Sequence, residues 1–322
     1  MSCILISEDS LNPHQITAGI NYVITAFANS SLFTTEPDGE YEPFMPLDEV
    51  RAMFDEGTKV CMAIGGWGDT DGFSKGAKNC TTQTLYAKSI AATLDRLGYD
   101  CVDIDWEYPG GNGADYIQHP NSEKVSEIHT YAELLGHIKA AIGDKELSIA
   151  VPGLEKDMMA FTPEQVPKIN AVVDFVNVMT YDFMSRRDNV TNHHTSVNQS
   201  LHTIETYAAR GMAPGKMNLG FAFYAKWFTT AEGAVCTEPV GCPTALLEAA
   251  DGSDTGKSGA LTFEAINFAP APTNLTDSPD MSCGAGTFYR CPDSLCCMVA
   301  PHRIVEPGVS PTTEFAKDLQ LV

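Results

Sequence analysis

Short apolar runs separated by longer amphipathic stretches recur along this chain. The runs at 21–28, 59–64, 101–105, 146–151, 175–180 and 217–223 are rich in Val, Ile, Phe, Ala and Met, which predicts strands. Between them, apolar residues return at three- and four-residue spacing over 82–97, 126–142 and 197–209, which predicts helices. Pro163 after Thr162 marks another helix start, with Thr162 as its cap. Alternating strand and helix is the signature of a parallel α/β fold. Repeats of this unit without a Gly-x-Gly-x-x-Gly turn favour a (β/α)8 TIM barrel over a doubly wound sheet.

The ends of this pattern are weak. A first strand could come only from residues 3–6, and no eighth strand is evident before the chain ends at Val322. The chain therefore reads as a barrel with incomplete edges, spanning 1–228. Residues 229–322 read as a loop-rich, Cys-containing insertion or tail, in which only short pieces such as 245–250 look helical.

One run carries more than hydrophobic pattern. Residues 100–107 read Asp-Cys-Val-Asp-Ile-Asp-Trp-Glu. In a strand, alternate side chains share a face. Asp103, Asp105 and Glu107 then lie on one face, and Val102, Ile104 and Trp106 on the other. Like charges so close repel, and burial favours protonating at least one of them. A strand holds such acids mainly where they do chemistry or bind a metal. The bland alternative is a solvated edge strand, but the sharp turn Tyr108-Pro109-Gly110-Gly111 directly after Glu107 argues against it.

Barrel chemistry sits at the C-terminal strand ends. Here those ends carry Gly65-Gly66-Trp67, Asp105-Trp106-Glu107-Tyr108, Met179-Thr180-Tyr181-Asp182 and Tyr224-Ala225-Lys226-Trp227. Carboxylates ringed by aromatics suit cleavage of a glycosidic bond: an acid protonates the leaving oxygen and aromatic faces hold the sugar ring.

Charge and cysteine content narrow the setting. The net charge of −22, from 42 acidic and 20 basic residues, argues against nucleic acid or an anionic membrane as partner. No run reaches the length of a membrane span. The N-terminal residues lack the basic start and apolar core of a signal peptide. Ten cysteines and Asn-x-Ser/Thr acceptors at Asn29, Asn79, Asn189, Asn198 and Asn274 nevertheless predict a secreted protein whose leader is absent from this chain. Cys61 and Cys101, inside apolar runs, are expected as buried thiols. Cys236, Cys242, Cys283, Cys291, Cys296 and Cys297 suggest a disulfide-stapled segment.

Together these motifs resemble glycoside hydrolase family 18, the chitinases, of fungal type. Asp100-x-x-Asp103-x-Asp105-x-Glu107, followed by Tyr108-Pro109, resembles the family signature. Ala63-Ile64-Gly65-Gly66-Trp67 resembles its Ser-x-Gly-Gly strand with alanine for serine. Met179-Thr180-Tyr181-Asp182 and Leu219-Gly220-Phe221-Ala222-Phe223-Tyr224 resemble its later strands. The resemblance implies hydrolysis of β-1,4 links in chitin with retention, the substrate's acetamido oxygen serving as nucleophile. It implies Glu107 as general acid, Asp105 as the group orienting the acetamido, Asp103 as its support and Tyr181 as donor to the carbonyl. Trp67, Tyr108, Met179, Asp182 and Tyr224 would contact substrate, and Asp100 would be scaffold. No cofactor or metal is implied, and the expected state is a monomer that binds chitin or its oligomers.

The segment at 283–297 resembles part of a hevein-type chitin-binding module. The family's eighth-strand tryptophan has no counterpart, since the three tryptophans are Trp67, Trp106 and Trp227. Two other functions share the pattern: an endo-β-N-acetylglucosaminidase acting on N-glycan cores, and a non-catalytic chitin-binding lectin or effector. His193-His194 lacks a carboxylate at helical spacing and is not expected to hold metal. Arg186 and Arg187 read as solvated charge.

Overall fold

The computed structural model describes residues 3–6, 18–35, 41–238 and 240–262, and the backbone of four further strand segments. The chain divides into two compact units. The first comprises Met1–Met179, Ile204–Gly220 and Thr313–Val322, and the second Thr180–Thr203 and Phe221–Thr312.

Strands and helices alternate through the first unit. In chain order they are β1 (Cys3–Ile6), β2 (Tyr22–Ala28), α1 (Leu47–Ala52), β3 (Lys59–Gly65), α2 (Asp71–Gly76), α3 (Cys80–Leu97) and β4 (Cys101–Asp105). There follow α4 (Glu127–Ile142), β5 (Glu146–Pro152), α5 (Val166–Val172), β6 (Phe175–Met179), α6 (Val197–Ala209) and β7 (Met217–Leu219). The sheet order is sequential, every pairing is parallel, and the two-residue strand Gln320–Leu321 lies beside β7. The Asn218 side chain on β7 reaches the Cys3 sulfur on β1 at 3.8 Å, so the sheet curls far enough to bring β7 within side-chain reach of β1. This is a (β/α)8 TIM barrel with thin first and last strands. Among the described residues no ladder joins Gln320–Leu321 to β1.

Alternation decides what each strand buries. Outward residues such as Val60, Met62, Ile64, Val102, Ile104, Ile149 and Val178 pack with Ile90, Leu94, Tyr131, Leu134 and Ile138 of the helices. Each such side chain fully removed from water contributes about 1.5–3 kcal/mol. Inward residues form a second cluster of Cys3, Tyr22, Ile24, Ala26, Cys61, Ala63, Cys101 and Phe175. Cys61 and Cys101 are not separate thiols, as the sequence suggested. They are register partners on β3 and β4, and a disulfide joins them. Two apolar runs 40 residues apart reveal no such pairing until the strands align.

Helix ends follow local chemistry. Asn79 accepts from the backbone of Thr81 and Thr82 while Thr82 bonds back, a capping box that starts α3 ahead of the expected residue 82. Gly98 closes α3 at φ 82°, where a side chain would be strained. The helix expected at Pro163 begins at Val166. Thr162 O accepts from both Gln165 N and Val166 N, so a turn precedes the helix, and Thr162 Oγ1 accepts from Gln165 N at 3.2 Å.

The second unit is built differently. Strands β8 (Tyr224–Phe228) and β9 (Ser258–Thr262) form an antiparallel pair, and Met184, Phe228 and Leu247 make a small core. The strand expected over 217–223 stops at Leu219, and Phe223 is exposed. Residues 245–250 are not helical: Glu248 bridges Asp254 and Ala249 N donates to Ser253 O in a turn. Such a segment is too short to nucleate a helix unaided. Cys236 and Cys242 are bonded. Arg186 Nε lies 3.0 Å from Glu248 and Arg187 Nε 3.9 Å, so both are paired rather than solvated. Further strands β10 (Thr276–Asp277), β11 (Thr287–Cys291) and β12 (Ser294–Met298) are antiparallel. The rest of the hevein-like stretch at 283–297 lies outside the described residues, as do its side chains.

Candidate active site

Strand β4 sits between β3 and β5 with every residue buried, which excludes a solvated edge. Asp103 points inward and is 2% exposed. Its Oδ1 accepts from Ser148 Oγ of β5 and from Asn177 Nδ2 of β6 at 2.9 Å. Asn177 in turn accepts from Asn218 of β7 at 3.0 Å. Burial pushes the Asp103 carboxyl up to about 6, although both hydrogen bonds oppose the shift. Asp105 is also buried, and among the described residues its Oδ1 has no hydrogen-bond partner. Burial first, then the charges of Glu107 and Asp103, hold its carboxyl well above the usual carboxylate range.

Glu107 follows the strand end and is half-buried. The next residue, Tyr108, opens a turn that closes with Gly111 N donating to Tyr108 O. Its phenol is pushed up by burial and by the nearby charges of Glu107, Asp157 and Asp105. Trp67 stands half-exposed with its ring edge on Tyr108, centroids 6.3 Å apart. The loop before Trp67 must be glycine. At Gly65, φ is +109° and a Cβ would fall 2.2 Å from Asp105 O, while Gly66 N donates to that same oxygen at 2.8 Å. Met179 ends β6, opposite Pro152. The first unit thus gathers Asp103, Asp105, Glu107, Tyr108 and Trp67.

The second unit gathers Tyr181, Asp182 and Tyr224. The Tyr181 and Tyr224 rings meet edge to face at 6.2 Å. Asp182 accepts from Tyr224 Oη at 2.8 Å and from Lys226 Nζ at 2.8 Å, and His194 Nδ1 lies 3.5 Å away. His194 is fully buried and stacks on Tyr224. Burial would raise the Asp182 carboxyl, but bonds from His194, Lys226 and Tyr224 outweigh it and hold the carboxyl below its ordinary value.

Sequence reasoning missed Ser148, Asn177 and Asn218, the polar residues facing inward beside Asp103. Their signal was a polar residue at an inward position of an otherwise apolar strand. It also missed Lys226 and His194; Lys226 shares strand parity with Tyr224. Asp100 serves elsewhere, accepting from Val60 N at 2.8 Å and pairing with Arg51. Among the described residues no group of three or more His, Cys, Asp or Glu is arranged to hold a metal ion.

The family model of glycosyl hydrolases family 18 matches residues 6–281. Sporulation-specific chitinase 2 of Saccharomyces cerevisiae is 27% identical over 263 residues, which cover 72% of this chain and 50% of that protein. Chitotriosidase-1 of Mus musculus is 26% identical over 75% of this chain and 54% of that protein. The chain therefore spans about half the length of these relatives. Catalytic domain 2 of the group II chitinase of Ostrinia furnacalis shares the fold, with a TM-score of 0.68 at 21% identity over 93% of this chain and 82% of that one. The matched span holds the acid strand and its neighbours in order, and the chain belongs to glycosyl hydrolases family 18.

Proposed function

We propose that the chain hydrolyses β-1,4 links between N-acetylglucosamine units of chitin, with retention, through the acetamido group of the substrate. The observation that carries this reading is Asp105. It is a buried carboxyl whose Oδ1 has no hydrogen-bond partner among the described residues, pushed toward its neutral form beside a half-buried Glu107. Such a group suits a ligand donor that becomes positive during the reaction, because its attraction then grows in the transition state. In this scheme Glu107 gives its proton to the glycosidic oxygen as the C–O bond breaks. The acetamido oxygen attacks the anomeric carbon, and the resulting oxazolinium is opened by water that Glu107 deprotonates. Asp105 takes the acetamido N–H, Asp103 supports Asp105, and Tyr181 donates to the acetamido oxygen. Trp67, Tyr108, Met179, Asp182 and Tyr224 contact sugar.

The names of the relatives point the same way, and the Ostrinia furnacalis domain is known in complex with penta-N-acetylchitooctaose. The Cys61–Cys101 disulfide inside the barrel fits an extracellular setting, with sequons such as Asn189 carrying glycans and the chain acting as a fungal-type monomer. Among the described residues no helix is long and apolar enough to cross a membrane.

The test is incubation of the purified chain with chitohexaose, following products by chromatography and anomeric configuration by NMR. Shorter oligomers released first as the β anomer are expected. Binding without shortening would make the chain a lectin. Cleavage of an N-glycan core but not of chitohexaose would make it an endo-β-N-acetylglucosaminidase.

A further inference from the structure

The loops that carry Trp67 and Tyr108 leave different strands, β3 and β4, yet both are fastened to one turn of chain at the start of α4. Lys124 is buried, and its Nζ lies 2.7 and 2.6 Å from the two carboxylate oxygens of Asp115. Asp115 also accepts from Thr70 Oγ1 at 3.2 Å, and Thr70 closes the Trp67 loop. Three residues after Lys124, Glu127 is equally buried. Its Oε1 accepts from Ser74 Oγ of α2 at 2.6 Å, and its Oε2 from Gly110 N, in the Tyr108 turn, at 3.0 Å. Lys124 thus reaches the end of the Trp67 loop through Asp115 and Thr70, and Glu127, one helical turn on, ties the Tyr108 turn to α2, the helix that follows the Trp67 loop.

The outer sides of the loops are fixed as well. Asp69 accepts from Ser30 N at 2.6 Å and Ser30 Oγ at 2.5 Å, and Asn121 Oδ1 accepts from Asn112 N at 2.9 Å. Buried ion pairs are poor sources of net stability, because desolvation offsets their attraction. What these groups add is geometry, since each charged oxygen has a directed donor.

We propose that Lys124 and Glu127 are positioning residues that hold Trp67 and Tyr108 as a preformed aromatic face, and that this face sets a preference for longer chito-oligosaccharides. This rests on the chitinolytic reading above. Tyr108 directly follows Glu107, and Trp67 extends the aromatic surface away from it onto the neighbouring loop. A short oligomer beside Glu107 meets this face with few of its rings, whereas a long one lies across all of it. Two aromatics fixed before binding spare the ligand the ordering cost of immobilising them.

The test uses Lys124→Met and Glu127→Ala, with Lys124→Arg as the conservative control. For chitohexaose, KM should rise about tenfold in the first two, with kcat within about twofold of the parent. KM for chitotriose should rise by clearly less, and Lys124→Arg should restore most of the loss. A second readout needs no turnover: fluorine NMR of 5-fluorotryptophan-labelled protein, with the Trp67 signal assigned by Trp67→Phe. That signal should broaden or split in both variants without ligand. Equal losses on short and long substrates, or a Trp67 signal identical to the parent's, would overturn the proposal. If the parent neither binds nor cleaves any chito-oligosaccharide, the functional reading fails, while the fluorine spectrum still decides whether the clamp holds Trp67. Should Lys124→Met not fold, Thr70→Val removes one bond of the clamp; an unchanged KM and spectrum there would equally count against it.

Discussion

Asp103 and Asp105 in the first unit and Asp182 in the second are the same residue type under opposite regimes. Around Asp103 the partners are neutral, Ser148 and Asn177, and the nearby charges on Asp105 are other carboxylates. Burial therefore wins, and both carboxyls rise. Around Asp182, whose side chain is 44% exposed, the partners include Lys226 and His194, and the carboxyl falls. The charge of an acid follows both how far it is buried and the sign of what it faces. The first set is biased toward its protonated form, and the second toward the anion that accepts from Tyr224 and Lys226.

The contrast can be broken most severely at the strand end. Glu107→Gln should keep chito-oligosaccharide binding but lower kcat by about 10³-fold or more; near-normal turnover would remove the acid strand from the chemistry. Next, Asp105→Asn should lower kcat by about 10²-fold with a much smaller change in KM, because its interaction strengthens in the transition state. A loss confined to KM would make Asp105 a simple binding residue.

A third prediction concerns stability. Asp103 stands near 3.8 when unfolded and about 6 when folded, so between these values the folded chain binds more protons. Its contribution therefore falls as pH rises from about 4 to about 6, by on the order of 2–3 kcal/mol, and is flat above. Urea unfolding of the parent should show this decline relative to Asp103→Asn; parallel pH curves would refute it. The smallest effect is expected at the opposite pole. The folded Asp182 carboxyl is depressed, so its stabilisation is present above its unfolded value and lost as pH falls through the folded one. Lys226→Met should raise that carboxyl, seen by carboxyl-carbon NMR, and weaken stability by less than about 1 kcal/mol above the unfolded value while leaving the most acidic range unchanged, since Asp182 is partly solvated. An unmoved Asp182 titration would assign the depression to His194 and Tyr224 instead.

How much of this was legible depended on range. The parity of 101–105 was local, and it correctly placed Val102, Ile104 and Trp106 against the helices and Asp103 and Asp105 inward. Barrel class followed from alternation. Cys61–Cys101, Arg186–Glu248 and the links of Lys124 and Glu127 were not legible, because each joins segments brought together only by tertiary packing. The helix expected at Pro163 was misjudged by one turn, since a proline fits both a turn and a first helical position. The irregular course of 245–250 was hidden by a run of good helix formers too short to hold a helix.

Gly65 touches no proposed sugar, yet the space where its side chain would begin is occupied by the backbone oxygen of Asp105 and the ring of Phe73. Any replacement there must displace the strand that carries the acids. In a random mutant library selected for chitin degradation, Gly65 should tolerate as few changes as Glu107, and a sweep for intolerant positions would report it as if it were chemistry. The lesson for reading such screens is that silence at a position can mark the wall behind a site as surely as the site itself.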